Sequence, residues 1–335
     1  MDTGAPVRWG ILGTAGIAEG AFLPALAEVG GGEAVVVASR DSARAAQWAS
    51  RHGVGGGVEG YRAVIDDPTV EAVYIPLPNG LHADWTIAAL EAGKAVLCEK
   101  PLCATPEETV RVLAVAAGAP GPLWEAFVFP FHDQMQRLLG LLAEGAIGEV
   151  REVSSRFHFS LDDPEDVRLL ASLSGGATQD VGCYPIRLAR LVFAAESEPD
   201  GAIAEAVWGD GVDLELWGAL RFPGDRRLVL SCGFRSAGDT GTRLFGTEGE
   251  IRMTNPFHPE GGDTLQIVRD GEVVVSEPAA PRGERSFSPA IRHIQRVLRD
   301  LEPPRHLAIE EAAGNAAAIA ALVGAAGSTE RPPVG

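Results

Sequence analysis

Short apolar runs alternate with amphipathic stretches through the first third of the chain. VRWGILG (7–13), AVVVAS (34–39), VEAVYIPLP (70–78) and KAVLCE (94–99) are largely continuous in apolar character and rich in β-branched residues. That pattern predicts strands buried on both faces. Between them, IAEGAFLPALAEV (17–29), DSARAAQWASRHG (41–53), HADWTIAALEAG (82–93) and TPEETVRVLAVAAGA (105–119) read as helices. Pro24 is expected to start a fresh turn or kink, because proline has no amide hydrogen to bond the preceding turn. The segment 41–53 opens on an aspartate or serine cap and stops at a glycine. The segment 105–119 opens on a threonine cap, with proline and then acidic residues in its first turn. PLWEAFVF (122–129) is apolar and extended. Strands alternating with helices predict a parallel, doubly wound sheet with helices on both faces. Ligands of such sheets bind beyond the carboxyl ends of the strands. The loops after Gly13, Ser39, Pro76 and Glu99 are therefore expected to share one rim.

From about residue 126 the pattern changes. A helix (134–144) precedes EVREVSSRFHFS (149–160), which alternates as a half-buried strand does, and GGATQDVGCYPIRLARLVFA (175–194) reads as a glycine-led helix. Long strand patterns follow at 202–208, 213–222, 226–235, 242–253 and 264–276, with short glycine-rich connections. They predict a large, mostly antiparallel open sheet with one face packed on helices. Helices at about 288–302 and 309–326 close the chain, and the tail STERPPVG (328–335) is expected to be loose. The implied organisation is an α/β chain of two domains, 1–125 and 126–335. A length of 335 residues agrees with two domains.

Composition narrows the partners. The formal net charge of −18 disfavours nucleic acid and anionic membrane surfaces, which need clustered cations. Four cysteines, Cys98, Cys103, Cys183 and Cys232, form no C-x-x-C pair and sit beside no histidine at zinc-ligand spacing. No metal site is expected, and a reducing compartment fits. The start MDTGAPVRWG lacks the basic and apolar regions of a signal peptide, and no run of roughly 18 apolar residues marks a membrane span. A soluble, cytoplasmic protein is the expectation. Among 28 lysines and arginines, only Lys94 and Lys100 are lysines. A GC-rich coding bias accounts for such scarcity, so it carries no chemistry by itself.

Three stretches do carry chemistry. GILGTAGIAEG (10–20) joins a strand to a helix and aligns Gly13, Ala15 and Ala18 with the three small positions of a dinucleotide-binding turn. Ala15 departs from the usual second glycine, a departure that Gly16 can relieve; a plain structural turn would look similar. The second strand ends in Ser39 and Arg40 rather than a carboxylate, which suits a 2′-phosphate and hence NADP(H) over NAD(H). Asp41 comes one place late and reads as the helix cap. Next on the rim, LPNGLHADW (77–85) offers Leu77, Asn79 and His82, although a lone histidine at a helix start is as readily structural.

CEKPL (98–102) places Lys100 at a strand end, kept from helical geometry by Pro101. Lysine titrates near 10.4 in model peptides and falls when desolvated, whereas arginine stays above about 12, so only lysine can lend a proton here. In GGATQDVGCYPI (175–186), Asp180 and Tyr184 share a helix face. A carboxylate, a phenol and a lysine at one carbonyl oxygen would form a proton-transfer set. Taken alone, Asp180 could equally serve the helix start and Tyr184 the packing.

Together, GILGTAGIA, ASRD, PLPNGLHADW, CEKPL, GAIGEV and GGATQDVGCYPI resemble the Gfo/Idh/MocA oxidoreductase family in order and over essentially the whole chain. Within it, the nearest likeness is to NADP-dependent sugar 3-ketoreductases and dihydrodiol dehydrogenases. The resemblance implies a Rossmann domain followed by an α/β domain whose open sheet forms a homodimer or homotetramer interface. It implies that Gly13, Thr14, Ala15, Gly16, Ile17 and Ala18 line the pyrophosphate and that Ser39 and Arg40 take the 2′-phosphate. Tyr61, Leu77, Asn79, His82, Glu99 and Lys100 would line the cofactor, with Arg168 and Asp180 reaching it or the substrate. Lys100 and Tyr184 would contact substrate and, with Asp180, carry the proton transfer. The implied activity is hydride transfer to or from a sugar, nucleotide-sugar or cyclic polyol. Rival readings are a dihydrodiol or aldose dehydrogenase, a redox-assisted glycoside hydrolase, and a non-catalytic NADP sensor.

Overall fold

The computed structural model describes residues 4–194, 198–280 and 282–327; the tail STERPPVG lies outside them. The chain divides into two compact units. One holds the residues up to Val128 together with Glu284–Ala312; the other holds Phe129–Gly283 and the residues from Ala313. The first break lies close to the change of pattern near residue 126. The segment 284–312 differs from the sequence expectation, since it is counted with the first unit.

The first unit runs β1 (Val7–Leu12), α1 (Leu23–Val29), β2 (Gly32–Ser39), α2 (Ser42–His52), β3 (Gly57–Glu59), α3 (Tyr61–Ile65), β4 (Ala72–Ile75), α4 (His82–Glu91), β5 (Ala95–Cys98), α5 (Pro106–Ala116) and β6 (Leu123–Glu125). The strands form one parallel sheet in the order β3-β2-β1-β4-β5-β6. This is a Rossmann arrangement, with its topological switch point between β1 and β4. Trp9, Ile11, Val37, Val73, Tyr74 and Ile75 on these strands are fully buried, as two covered faces require.

Local chemistry sets the helix ends. Asp41 caps α2 by accepting from the Arg44 amide at 2.6 Å, and left-handed Gly53 ends it. Thr105 caps α5 by accepting from the Glu108 amide at 3.2 Å, while the Glu108 carboxylate accepts from the Ala104 amide. The helix expected over 17–29 is interrupted: Ala18–Phe22 forms a π turn and α-helical bonding starts at Leu23. Pro24 cannot donate to the preceding turn, and the wider turn absorbs the missing bond.

The second unit begins with α6 (Asp133–Ala143), β7 (Val150–Ser160) and α7 (Cys183–Val192). Its remaining strands are β8 (Gly201–Gly209), β9 (Val212–Phe222), β10 (Arg226–Gly233), β11 (Arg235–Asp239), β12 (Thr242–Gly246), β13 (Glu250–Met253), β14 (Thr264–Arg269) and β15 (Glu272–Pro278). The nine-stranded sheet is ordered β15-β14-β13-β12-β7-β10-β9-β8, with β11 beside β7. Its pairings are antiparallel except β7 with β10. One face buries Leu216, Leu220, Leu228, Leu230, Leu244 and Ile251, while Trp217, Val229 and Ile203 on the other stay exposed.

Two strand patterns proved to be hairpins. Residues 242–253 turn at Gly246, whose Cβ would stand 2.0 Å from the Ile147 carbonyl oxygen, so only glycine fits. Residues 264–276 turn at Asp270 and Gly271, both at positive φ. The chain ends with α8 (Ser288–Val297), part of the first unit, and α9 (Ala308–Ala326). By length and composition α9 could cross a membrane, but its Ala312, Ile319 and Leu322 are buried in protein. All four cysteines are buried, and none forms a disulfide.

Candidate active site

The rim of the first unit begins at Gly13. Its φ is +104°, and a Cβ there would meet the Leu77 side chain at 3.0 Å. Glycine is required by both the backbone and the neighbour. The Gly13 amide donates to the Ala38 carbonyl at 2.9 Å, joining the turn to the end of β2. Thr14 and Ala15 carry the chain over, and the amides of Ala18 and Glu19 both donate to the Ala15 carbonyl. Space stands open above Gly16, with nothing within 4 Å of where a Cβ would lie. Ile17 is exposed and Ala18 is fully buried beneath the turn. Small residues at the turn and a closely packed third position are what a pyrophosphate at a helix N-terminus needs.

At the end of β2, Ser39 is buried and Arg40 is exposed. The Asp41 carboxylate is engaged by the α2 cap, as expected. A second cation stands here that the sequence reading missed. Arg44 donates from Nε to the Thr14 hydroxyl at 2.9 Å, tying α2 to the glycine turn. This corner therefore presents guanidinium groups and a hydroxyl, which fit a phosphate better than a ribose diol.

The next loops hold Leu77, Asn79 and His82. Leu77 is buried against Gly13, and Asn79 opens the short 3₁₀ turn before α4. Tyr61 meets Trp85 edge-on at 5.0 Å. His82 is fully buried, with Nδ1 2.8 Å from the Pro101 carbonyl and Nε2 2.7 Å from the Leu77 carbonyl. Its ring lies between the two loops that follow β4 and β5. Burial pulls its pKa below the ordinary imidazole value, and the Lys100 charge adds to the effect, while the two carbonyl contacts oppose both.

Glu99 is likewise turned inward. The Tyr74 hydroxyl donates to its Oε1 at 2.7 Å, and the Lys100 amide approaches Oε2 at 3.4 Å. Lys100 follows β5, partly buried, and precedes a cis peptide to Pro101. The other lysine, Lys94, precedes β5; its ammonium is consumed by the carbonyls of Asp67 and Val70, each at 2.7 Å.

In the second unit, Gly175 and Gly176 lead into a π turn (Thr178–Gly182) and then α7. Gly176 has φ +118°, and a Cβ there would lie 2.3 Å from the Asp213 carboxylate. Asp213 accepts from the Thr178 amide and from the Thr178 hydroxyl, each at 2.7 Å. Burial raises its pKa. Asp180 pairs with Arg168 at 2.8 Å, so two expected site residues meet. Arg168 also binds Asp166 at 3.0 Å; these two carboxylates outweigh desolvation and raise its pKa. Tyr184 is 6% exposed and lies among Phe129, Phe157, Phe257 and His258, with ring centroids 5.1–6.2 Å away. Asn255 fixes the His258 loop, donating to its carbonyl at 2.6 Å and accepting from its amide at 3.1 Å.

The expected residues thus fall into two sets. Gly13 to Ala18, Ser39, Arg40, Tyr61, Leu77, Asn79, His82, Glu99 and Lys100 belong to the first unit; Arg168, Asp180 and Tyr184 belong to the second. Arg44, Tyr74, Asp213 and His258 were missed. Only Arg44 left a sequence signal, a basic residue in the first turn of the helix that follows β2.

A parallel sheet with a glycine turn at its switch point, joined to a unit with a large open sheet, defines a dinucleotide-fold oxidoreductase. Residues 7–127 match the family model described as oxidoreductase family, NAD-binding Rossmann fold, and residues 135–252 match the GFO/IDH/MocA C-terminal domain. D-xylose 1-dehydrogenase (NADP(+)) 2 of Haloferax volcanii is 36% identical over 304 residues, covering 89% of this chain and 91% of that protein. The dTDP-3,4-didehydro-2,6-dideoxy-α-D-glucose 3-reductase of Streptomyces violaceoruber is 38% identical over 300 residues, covering 87% of each. The crystal structure of a 3-ketoreductase from Actinomadura kijaniata, in complex with NADP and TDP-benzene, superposes with a TM-score of 0.86. It is 33% identical and covers 96% of this chain and 98% of its own. The chain belongs to the Gfo/Idh/MocA oxidoreductase family.

Proposed function

We propose that this protein is an NADP(H)-dependent oxidoreductase acting on a carbonyl or carbinol carbon of a sugar, nucleotide-sugar or cyclic polyol. The observation that carries the reading is the corner at the end of β2, where Ser39, Arg40 and Arg44 stand beside the glycine turn while Asp41 is occupied as a helix cap. Those residues fit NADP(H): Gly13 to Ala18 would hold the pyrophosphate, and Ser39 and Arg40, with Arg44, the 2′-phosphate. Tyr61, Leu77 and Asn79 would flank the rest of it. When bound, the nicotinamide supplies or accepts hydride. In the reductive direction, Lys100 and Tyr184 polarise the substrate oxygen and one of them donates the proton. Asp180, held by Arg168, orients that pair. The NADP-linked sugar enzymes among the relatives support this substrate class.

The first unit would bind the cofactor and the second the substrate. The exposed face of the large sheet would pair two copies of the chain. Ile203, Ala219 and Val229 lie in register there, with Trp217 one residue pair along. Arg227 pairs with Glu152, Arg156 with Asp239 and Arg221 with Asp200 around it, which lessens the repulsion between two acidic chains meeting there. Buried cysteines without disulfides suit the cytoplasm.

The test is a panel of aldoses, ketoses, inositols and nucleotide-linked keto-sugars, with NADPH and NADH compared by absorbance. Consumption of NADPH with at least one panel member is expected. Release of free sugar without net NADPH change would replace the reading with redox-assisted glycoside cleavage.

A further inference from the structure

We propose that His82 is a positioning residue for Lys100, a role that rests on Lys100 being the proton-transfer lysine. Strands β4 and β5 are neighbours, and each is followed by a rim loop. The His82 ring spans these loops, from the Leu77 carbonyl at 2.7 Å to the Pro101 carbonyl at 2.8 Å. It is fully buried at the start of α4, so water cannot substitute for either contact. A neutral ring donates to one carbonyl and a protonated ring to both; an apolar ring donates to neither.

Lys100 thus sits between two buried anchors. The preceding residue, Glu99, is held by the Tyr74 hydroxyl at 2.7 Å. The following residue, Pro101, is held by His82. Leu77, at the other end of the strut, packs against Gly13 of the phosphate turn. The same ring therefore couples the lysine to the loop that touches the glycine turn. Proton transfer depends on placement to a fraction of an ångström, and a lysine stem has four rotatable bonds of its own. Fixing the backbone on both sides of the residue is how this chain limits that freedom.

The scarcity of lysine supplies the test. Protein grown with [ε-¹³C]lysine shows two side-chain resonances, from Lys94 and Lys100, assigned with Lys100→Arg. Lys94, held by the Asp67 and Val70 carbonyls, is the internal reference for general folding. In His82→Phe, which keeps the ring but no donor, the Lys100 resonance is expected to shift and broaden while the Lys94 resonance stays in place. If both resonances match wild type, the proposal is overturned. If both move together, His82 serves the fold in general and the proposal is equally overturned. Should His82→Phe not accumulate as folded protein, His82→Leu decides. It offers no donor to either carbonyl, and an unmoved Lys100 resonance there overturns the strut. NADPH titration of the wild type, followed by fluorescence, separates the underlying reading. Absence of binding sinks the NADP(H) assignment, while the two resonances still judge His82.

Discussion

The two ends of the parallel sheet use charge in opposite ways. At the amino ends of the strands, charged groups are consumed in structure. Arg8 donates to Glu33 at 2.8 Å and to the Thr69 carbonyl at 2.9 Å, Glu71 takes both terminal nitrogens of Arg299, and Lys94 is spent on two carbonyls. At the carboxyl ends stand Gly13, Arg40 and Lys100, in the loops that lead into helix N-termini. Lys94 and Lys100 flank one short strand, β5, and carry identical side chains. Lys94 is held by two backbone carbonyls before the strand, and Lys100 follows the strand into the rim loop. In a βα repeat, helix N-termini gather at the carboxyl ends of the strands, so that is where an anionic ligand is stabilised.

The sharpest way to break this contrast is to remove each lysine in turn. Lys100→Ala is expected to lower turnover by roughly 10²- to 10⁴-fold, the usual yield of a positioned acid or base, while NADPH still binds. Steady-state kinetics with any active panel substrate checks it; near-normal turnover would remove Lys100 from the chemistry. Arg40→Ala should weaken NADPH by about 2 kcal/mol, roughly thirtyfold, and leave NADH nearly unchanged, because a charge-assisted phosphate contact is lost. Equal weakening of both nucleotides, measured by titration, would refute the 2′-phosphate role. Lys94→Met should cost about 2 kcal/mol of stability by orphaning two carbonyls, read as a lower denaturation midpoint, with unchanged turnover per folded molecule. Should Lys94→Met slow the folded enzyme instead, the division between the two ends is wrong.

The smallest effect concerns Glu71. Its hydrogen bonds from Arg299, and then the Arg8 amide, hold its carboxyl below the usual range despite some burial. A depressed carboxylate contributes stability above its ordinary unfolded value and loses it as pH falls through the folded value. Glu71→Gln should therefore lower the thermal midpoint slightly at neutral pH, and the difference from wild type should vanish in acid. A gap that widens in acid would contradict the pairing.

Much of the first unit was readable because its signals are local. Asp41, Thr105, Gly53 and Pro106 mark helix ends through contacts within a few residues. GTEGE (246–250) and DGE (270–272) read as glycine-rich connections, yet the strand patterns 242–253 and 264–276 run across them, since alternation continues across a tight turn. Short strand β3 carries too few residues for a period to register, whereas β6 falls within the extended stretch 122–129. Among site residues, Arg168 and Asp180 were both singled out, yet their pairing joins two loops that pattern alone cannot bring together. The partners of His82, the carbonyls of Leu77 and Pro101, likewise leave no mark in side-chain identity. Asp213, 35 residues from the Thr178 it caps, had no local signal at all.

The sulfur atoms carry one more consequence. Burial drives the Cys103 thiol up to about 12 and holds Cys98 and Cys232 high as well. At neutral pH almost no thiolate exists to react with an electrophile or peroxide. Alkylation of these three by iodoacetamide should then proceed only as fast as the chain opens, which turns them into a clock for unfolding.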